Sequence, residues 1–207
     1  MPQRVLQDML KEVWKMSKRV MVLLATGFEE IEAVSVIDIL RRAKVNVQIC
    51  SIDKEFVTGS HNITIKSDVR LDFIDIYNDD YDLIYLPGGV PGVNHLAESE
   101  EVLNLIRKYN EDGVFIAAIC AAPWVLDQAG ILKDHEVTSA PSFKDKVSPK
   151  EYLEKVFVKS ENILTSRGAG TSLEMGFRIL ETLGLTEEAA KLREDMQYNF
   201  LLDHKEK

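Results

Sequence analysis

Short apolar runs alternate with amphipathic segments along most of the chain. The runs are rich in Val, Ile and Leu and lack polar alternation, which is typical of strands buried on both faces of a parallel sheet. The segments between them repeat apolar residues at helical spacing. Strands are predicted at residues 19–25, 46–52, 81–86, 114–119 and 163–166, with short strands at 136–138 and 155–158. Helices are predicted at residues 29–43, 99–111, 123–129, 171–183 and 187–203.

The order of these elements predicts an α/β fold. The first strand, the first helix and the second strand form a β-α-β unit, which implies parallel pairing and a right-handed crossover. Two short β-like runs at residues 55–57 and 62–66 flank Thr58-Gly59-Ser60, and this pattern predicts a hairpin. We expect residues 16–207 to form one domain, a three-layer sandwich with a mostly parallel sheet.

Residues 1–15 are predicted to be a helical extension in front of this domain. Val5, Leu6, Met9, Leu10, Val13 and Trp14 recur at helical spacing. Such a helix could pack on the domain, join a dimer contact or act as a targeting signal. Two acidic residues in the segment weaken the targeting interpretation, because transit peptides are poor in acids.

Composition narrows the classes of function. The chain has 207 residues, of which 45% are hydrophobic and 29% charged, as in ordinary globular proteins. Its net charge of −9 argues against nucleic acid as a partner. Neither a membrane-spanning run nor a secretory signal is recognisable. Two cysteines cannot form a disulfide framework, so we expect a cytoplasmic location. The sequence has no zinc-ligand spacing and no phosphate-binding glycine motif, so neither a metal nor a cofactor is predicted.

Cys120 lies where a predicted buried strand meets a predicted helix. Residues 114–119 form the strand and residues 123–129 the helix, while Ala121 and Ala122 allow a sharp turn between them. The joint resembles a nucleophile elbow, and open α/β sheets bind ligands at such joints. A helix N-terminus also favours a thiolate. The alternative is a buried structural cysteine, which is what most free cysteines are.

Glu32 is the candidate partner of this thiol. Three acids, Glu29, Glu30 and Glu32, begin the first predicted helix, and the first two are expected to face solvent. Glu32 is surrounded in sequence by apolar residues, and a carboxyl group near a core has a raised pKa. It could then donate a proton to the sulfur and later accept it back. A third exposed helix acid is the simpler alternative.

Two glycine turns and four histidines are further candidate site residues. Gly88-Gly89 follows a predicted strand, and the N–H groups of Gly89 and Ala121 could stabilise an oxyanion. Residues 168–170 are more simply a tight turn. A cysteine hydrolase needs a histidine base, but all four histidines fall in predicted loops or the tail and are expected at the surface. Of these, only His61 is placed where it could approach the site, across a dimer interface.

Taken together, five stretches resemble the ThiJ/PfpI superfamily, in the branch of the Parkinsonism-associated deglycase and its bacterial relatives. The stretches are GFEEIEA (27–33), LPGG (86–89), AAICAAP (117–123), KDK (144–146) and LTSRGAGT (164–171). The resemblance implies a flavodoxin-like fold, a homodimer and no cofactor. It implies a reactive, oxidisable Cys120, a hydrogen-bonding Glu32 and backbone donors at Gly89 and Ala121. It places Gly88 and Pro141 in the substrate pocket.

The sequence departs from some relatives at Ala140. Those relatives have a histidine there, before the proline, whereas bacterial relatives with the Ala-Ala-Pro sequence lack it. The resemblance leaves two functions open. One is a dicarbonyl enzyme, of glyoxalase or deglycase type, acting on methylglyoxal or glycated groups. The other is a non-enzymatic redox sensor or chaperone that works through oxidation of Cys120. A link to thiamine metabolism, which the family name suggests, has no supporting residue.

Overall fold

Eleven short strands are present in the computed structural model, which describes residues 18–204. They are β1 Arg19–Leu24, β2 Asn46–Ser51, β3 Phe56–Thr58, β4 Thr64–Lys66, β5 Val69–Arg70, β6 Leu83–Leu86, β7 Phe115–Ile119, β8 Glu136–Val137, β9 Glu151–Tyr152, β10 Phe157–Ser160 and β11 Ile163–Ser166. Seven of them form one sheet in the order β10-β11-β7-β6-β1-β2-β5. All neighbours are parallel except β10 and β11. The predicted mostly parallel sheet is therefore confirmed.

Seven α-helices accompany these strands in the described part of the chain. They are α1 Glu30–Arg42, α2 Gly92–Glu98, α3 Glu100–Glu111, α4 Pro123–Gln128, α5 Ser172–Thr182, α6 Thr186–Asp195 and α7 Tyr198–Asp203. Three 3-10 turns lie at Leu71–Phe73, Pro141–Lys146 and Ala169–Thr171. None of the helices within residues 18–204 combines the length and the apolar character that a membrane crossing requires.

Side chains of β1 divide between two hydrophobic clusters and so define three layers. Met21 and Leu23 pack with residues of α2, α3 and α4, whereas Val20, Val22 and Leu24 pack with α1, α5 and α6. Successive side chains of a strand point to opposite faces, so an uninterrupted apolar run is what a strand covered on both faces requires. The layers agree with the predicted α/β sandwich.

Several predicted elements differ from the structure. The last predicted helix, residues 187–203, is two helices, because Gln197 adopts a left-handed conformation with φ 59° between them. The short strand predicted at 155–158 is shifted to Phe157–Ser160. Helix α2 and strands β5 and β9 were not predicted. The predicted N-terminal extension, residues 1–15, lies outside the described residues.

The predicted hairpin is present as β3 and β4, and it packs beside the first turn of α1. Gly27 N–H donates to Thr58 O at 2.8 Å, and Ser60 N–H donates to Phe28 O at 2.8 Å. Glu30 closes the contact, since its carboxylate accepts from His61 N–H at 2.6 Å. The hairpin thus covers the segment that leads to Glu32.

Candidate active site

Four turns meet at the carboxyl edge of the sheet, where open α/β folds bind ligands. They follow β1, β6, β7 and β11, which are adjacent strands. Backbone bonds join the turns in pairs. Glu29 N–H donates to Gly88 O at 2.9 Å, and Cys120 N–H donates to Ser166 O at 3.0 Å. The predicted convergence of Cys120, Glu32 and Gly88 is present.

The backbone of Cys120 is held in an unusual conformation. Its φ is 63°, a region that non-glycine residues rarely occupy and that costs about 1–3 kcal/mol. The residue is fixed from both sides, because its N–H is bonded to β11 and its C=O accepts from Ala140 N–H at 2.8 Å. Ala122 N–H bonds back to Ile119 O at 2.9 Å and closes the turn. The chain therefore forms a sharp elbow, and the thiol is half-buried.

Glu32 lies in the first turn of α1 and is completely buried. Its Oε2 accepts from Gly88 N–H at 2.7 Å, while its Oε1 has no hydrogen-bond partner among residues 18–204. A Cβ atom at Gly88 would lie 2.7 Å from Glu32 Oε2 and 2.8 Å from Cys120 Cβ. Glycine at this position is thus what allows the carboxyl group and the cysteine to approach the same backbone.

Burial raises the pKa of Glu32 from its usual 4.5 to about 7. The Cys120 thiol and the Gly88 N–H oppose this rise, and the charge of Glu29 adds to it. A raised pKa was predicted from the apolar sequence around Glu32, and the cause is the predicted one. The carboxyl group can therefore exchange a proton near neutral pH.

The pKa of Cys120 is shifted in the opposite direction from the helix-terminus effect expected from the sequence. Burial and the ionised Glu32 raise it to about 12, although the Ala121 N–H lowers it. Helix α4 has six residues and is too short to outweigh the burial. Above a pH of about 7, Glu32 and Cys120 together hold one proton. When that proton is on Glu32, the sulfur is a thiolate and Glu32 does not repel it.

The other predicted site residues surround this pair. Gly89 has φ 95°, and neither its N–H nor that of Ala121 donates to an oxygen atom in the part of the chain that the structure describes. Both donors are thus available to a ligand oxygen. Gly88 directs its N–H to Glu32 instead. Pro141 is exposed and begins the 3-10 turn next to Ala140.

Glu30 corrects one prediction, because it is 4% exposed instead of facing solvent. Its carboxylate accepts from the N–H groups of His61 and Ile63, and the His61 ring lies 2.9 Å away. With Glu29, these two side chains could offer three ligand atoms within 4.8 Å of one another to a cation. His135 is a second correction, since it is buried against Ser160.

Tyr85 supports the site and Arg167 follows one of its strands, and neither was predicted to lie there. Tyr85, in the middle of β6, is fully buried and donates its hydroxyl to Glu32 O at 3.0 Å. Arg167 follows β11 directly, and its Nη1 atom is buried without a partner among residues 18–204. The sequence does contain a signal for each residue. Tyr85 is a tyrosine within an apolar run, and Arg167 is an arginine between a predicted strand and a glycine.

Comparisons with known proteins give one consistent family. The sequence profile described as the DJ-1/PfpI family matches residues 18–182. A relative from Caenorhabditis elegans, named glutathione-independent glyoxalase DJR-1.2, is 36% identical over 166 residues, covering 79% of this chain and 87% of that protein. Arabidopsis thaliana protein DJ-1 homolog A is 37% identical over 176 residues, covering 84% of this chain and 44% of that protein. This chain thus spans less than half the length of that Arabidopsis relative.

A solved structure shows the same fold. The structure titled Toxoplasma gondii DJ-1, oxidized, superposes with a TM-score of 0.82 at 34% sequence identity. The match covers 87% of this chain and 98% of that one. The family match over residues 18–182 includes all four turns of the site described above.

The raised pKa of Glu32 predicts a specific dependence of stability on pH. Between pH 4.5 and 7 the folded chain keeps a proton on Glu32 that the unfolded chain has lost. The free energy of unfolding should therefore fall as pH rises through this interval, by about 3 kcal/mol. Urea unfolding of the wild type and Glu32→Gln from pH 4.5 to 8 should show this loss in the wild type only.

Cys120→Ala is the control for this measurement. It retains the carboxyl group, so the difference from Glu32→Gln should persist, which assigns the titration to Glu32 and not to the thiol. Parallel stability profiles for the wild type and Glu32→Gln would contradict a buried carboxyl group with a raised pKa.

Proposed function

Because this chain belongs to the DJ-1/PfpI family, we propose that it is a cysteine-dependent enzyme that acts on reactive dicarbonyls without a cofactor. The observation that carries the proposal is the buried Glu32 carboxyl group, with a pKa of about 7, beside the strained Cys120 turn. A general acid–base group is most effective when its pKa lies near the working pH.

The residues present can perform each step of a conversion of a 2-oxoaldehyde to a 2-hydroxy acid. Cys120 Sγ adds to the aldehyde carbon and forms a hemithioacetal, while the N–H groups of Gly89 and Ala121 hold the developing oxyanion. Glu32 removes the hydrogen from that carbon as a proton and returns a proton to the neighbouring carbon, which gives a thioester. Water hydrolyses the thioester, so methylglyoxal and water give lactate and the free thiol.

Two features favour this reaction over related ones. The thiol that a glyoxalase normally takes from glutathione would be Cys120 itself, which agrees with the name of the Caenorhabditis elegans relative, a glutathione-independent glyoxalase. In the hemiaminal or hemithioacetal of a glycated amine or thiol, Cys120 Sγ would displace that group, which leaves with the thiol proton, and the resulting hemithioacetal would follow the same isomerisation and hydrolysis, so deglycation belongs to the same proposal. Ala140 cannot transfer a proton, which leaves Glu32 as the acid–base group.

Turnover of methylglyoxal tests the proposal directly. Cys120→Ala should abolish lactate formation, and Glu32→Gln should lower kcat by about 10²- to 10⁴-fold, because it keeps a hydrogen-bond donor but loses proton transfer. Wild-type kcat should rise with pH through about 7, as the pair reaches its singly protonated form.

Cys50→Ala serves as the matched control, since Cys50 is fully buried in β2 and has no place in the mechanism. It should retain turnover. Equal lactate formation by the wild type and Cys120→Ala would reject a cysteine-dependent reaction.

A second candidate function is a redox sensor or chaperone. The half-buried Cys120 and the acid beside it suit oxidation to a sulfinate, whose oxygens could bond to Glu32. Burial raises the pKa of both thiols to about 12, so access and the proton of Glu32 decide which cysteine reacts.

Peroxide should therefore oxidise Cys120 before Cys50. Mass spectrometry of peptides after graded peroxide treatment should find two added oxygen atoms on Cys120 while Cys50 remains unmodified. Glu32→Leu should slow the reaction, because the sulfur loses the neighbouring acid whose proton would stabilise the thiolate. Similar oxidation of the two cysteines would contradict this selectivity.

We also propose a homodimer, on family membership and on an exposed apolar surface. The apolar face of the first predicted helix, which includes Val34, Ile37 and Leu40, suggests a dimer contact, but Ile37 and Leu40 are buried in the core. The exposed residues are Val34 and Ile31 on α1, 46% and 56% exposed, and Ile63 of the hairpin turn.

An acidic substitution on this surface should separate the protomers. Light scattering at micromolar concentration should give twice the chain mass for the wild type and a monomer for Val34→Asp, because a buried charge disfavours association. Tyr77→Asp, at an exposed aromatic residue elsewhere, should remain dimeric. A monomeric wild type would rule out the homodimer.

A further inference from the structure

We propose that Tyr85 is a positioning residue for Glu32, because its buried hydroxyl ties the main chain of Glu32 to β6 and so holds the carboxyl group in place beside Cys120. The consequence for turnover rests on the proposed function. The consequence for the reactivity of the thiol does not, since it requires only that the carboxyl group and the sulfur share a proton.

A tyrosine is an unusual residue for the middle of β6. Its neighbours Leu83, Ile84 and Leu86 are apolar and fully buried, and Tyr85 itself has no exposed surface. Burying a hydroxyl group is costly unless it forms a hydrogen bond, and phenylalanine would fill nearly the same volume without that cost. The hydroxyl group of Tyr85 therefore needs a partner inside the fold, and Glu32 O provides it at 3.0 Å.

The Tyr85 hydroxyl remains a donor throughout the working range of pH. Burial holds the pKa of Tyr85 well above its usual 10, and the charges of Glu32, Glu29 and Cys120 add to this rise. The phenol thus lies within electrostatic range of the reacting pair. Its bond to the main-chain carbonyl is retained whether the Glu32 carboxyl group is protonated or ionised.

Three separate hydrogen bonds fix Glu32. Its N–H donates to Glu29 Oε2 at 2.7 Å, its C=O accepts from Tyr85, and its Oε2 accepts from Gly88 N–H at 2.7 Å. Tyr85 and Gly88 are only three residues apart, at the end of β6 and in the turn that follows it. This one segment therefore holds both the main chain and the carboxyl group of Glu32.

The place of β6 in the sheet gives this double contact its importance. Strand β6 lies between β1, which leads into α1 and Glu32, and β7, which leads into Cys120. Apolar packing holds α1 against the sheet without a preferred direction, whereas a hydrogen bond fixes the position of its first turn along β6. A displacement of about 1 Å can cost about 10²-fold in rate, so a bond that prevents displacement bears directly on proton transfer.

Tyr109 offers a matched control. It is also buried, and it donates its hydroxyl to a main-chain oxygen, Asp79 O, at 2.9 Å. It belongs to α3 and to the hydrophobic cluster on the opposite face of the sheet from Tyr85. Tyr85→Phe and Tyr109→Phe therefore remove the same kind of bond and keep the ring, so a general loss of stability would affect both variants alike.

Alkylation of Cys120 by iodoacetamide separates positioning from a merely structural role. The rate at pH 7.5, measured on the Cys120 peptide by mass spectrometry, depends on the population of thiolate, which the proton of Glu32 stabilises. Tyr85→Phe should lower this rate by roughly 3- to 10-fold and move its pH profile to higher pH, because a displaced carboxyl group stabilises the thiolate less well. Tyr109→Phe should match the wild type. An unchanged rate in Tyr85→Phe would overturn the proposal, as would an equal fall in Tyr109→Phe.

A double-mutant cycle shows whether Tyr85 acts through the Glu32 carboxyl group. Glu32→Leu keeps the main-chain oxygen that accepts from Tyr85 but removes the carboxyl group. Tyr85→Phe should therefore have no further effect on the alkylation rate in this background. A fall by the same factor as in the wild-type background would mean that the bond acts on the fold in general, and would contradict the positioning role.

Turnover of methylglyoxal then connects the bond to the proposed reaction. Tyr85→Phe should lower kcat by a similar factor and leave KM nearly unchanged, because the bond positions the acid–base group and not the oxyanion donors. If the wild type has no turnover while the alkylation cycle gives the expected result, the proposed function fails and the positioning role stands. If turnover depends on Cys120 and Glu32 but Tyr85→Phe acts equally in both backgrounds, the positioning role fails and the proposed function stands.

Discussion

The hydrogen bond from Gly88 N–H to Glu32 Oε2, 2.7 Å long, is the contact on which the site depends. It joins the turn after β6 to the first turn of α1 and fixes a carboxyl group that is removed from water. Burying a carboxylate is costly, and one backbone donor offsets only part of that cost. The part of this free-energy cost that is not offset raises the pKa of Glu32. The same contact requires glycine at position 88, because any side chain there would collide with both Glu32 and Cys120.

Cys120 is subject to a second constraint, which comes from its backbone. The left-handed conformation is maintained by Ser166 on one side and Ala140 on the other. Two backbone hydrogen bonds therefore hold the strained Cys120 turn, and one of them is made by Ser166, the last residue of β11. Since burial disfavours the thiolate, the reactivity of the sulfur depends on where the pair keeps its last proton. Glu32 and Cys120 are a single chemical unit, and neither can be understood alone.

Much of this arrangement could be predicted from the sequence, because the central strands are uninterrupted apolar runs and their turns carry unusual residues. Cys120, Glu32 and Gly88 were identified from such signals and from the family resemblance. The burial of Glu30 and His135 could not be, since their hydrogen-bond partners lie 31 and 25 residues away. Periodicity also does not detect a single left-handed residue such as Gln197, which divides a helix that otherwise looks continuous. The orphaned donor of Arg167 depends on tertiary packing alone.

The four turns of the site come from positions 27 to 168, in strands that are adjacent in space but far apart in the chain. Contacts of this separation form late in folding, since the entropy of closing long loops opposes them. Strand β11 is made last during synthesis, and it supplies the carbonyl that holds the Cys120 turn. A chain without β11 therefore lacks the hydrogen bond that holds the Cys120 turn, so the geometry of the elbow requires a completed sheet. The geometry of the site therefore depends on the folding of the whole sheet.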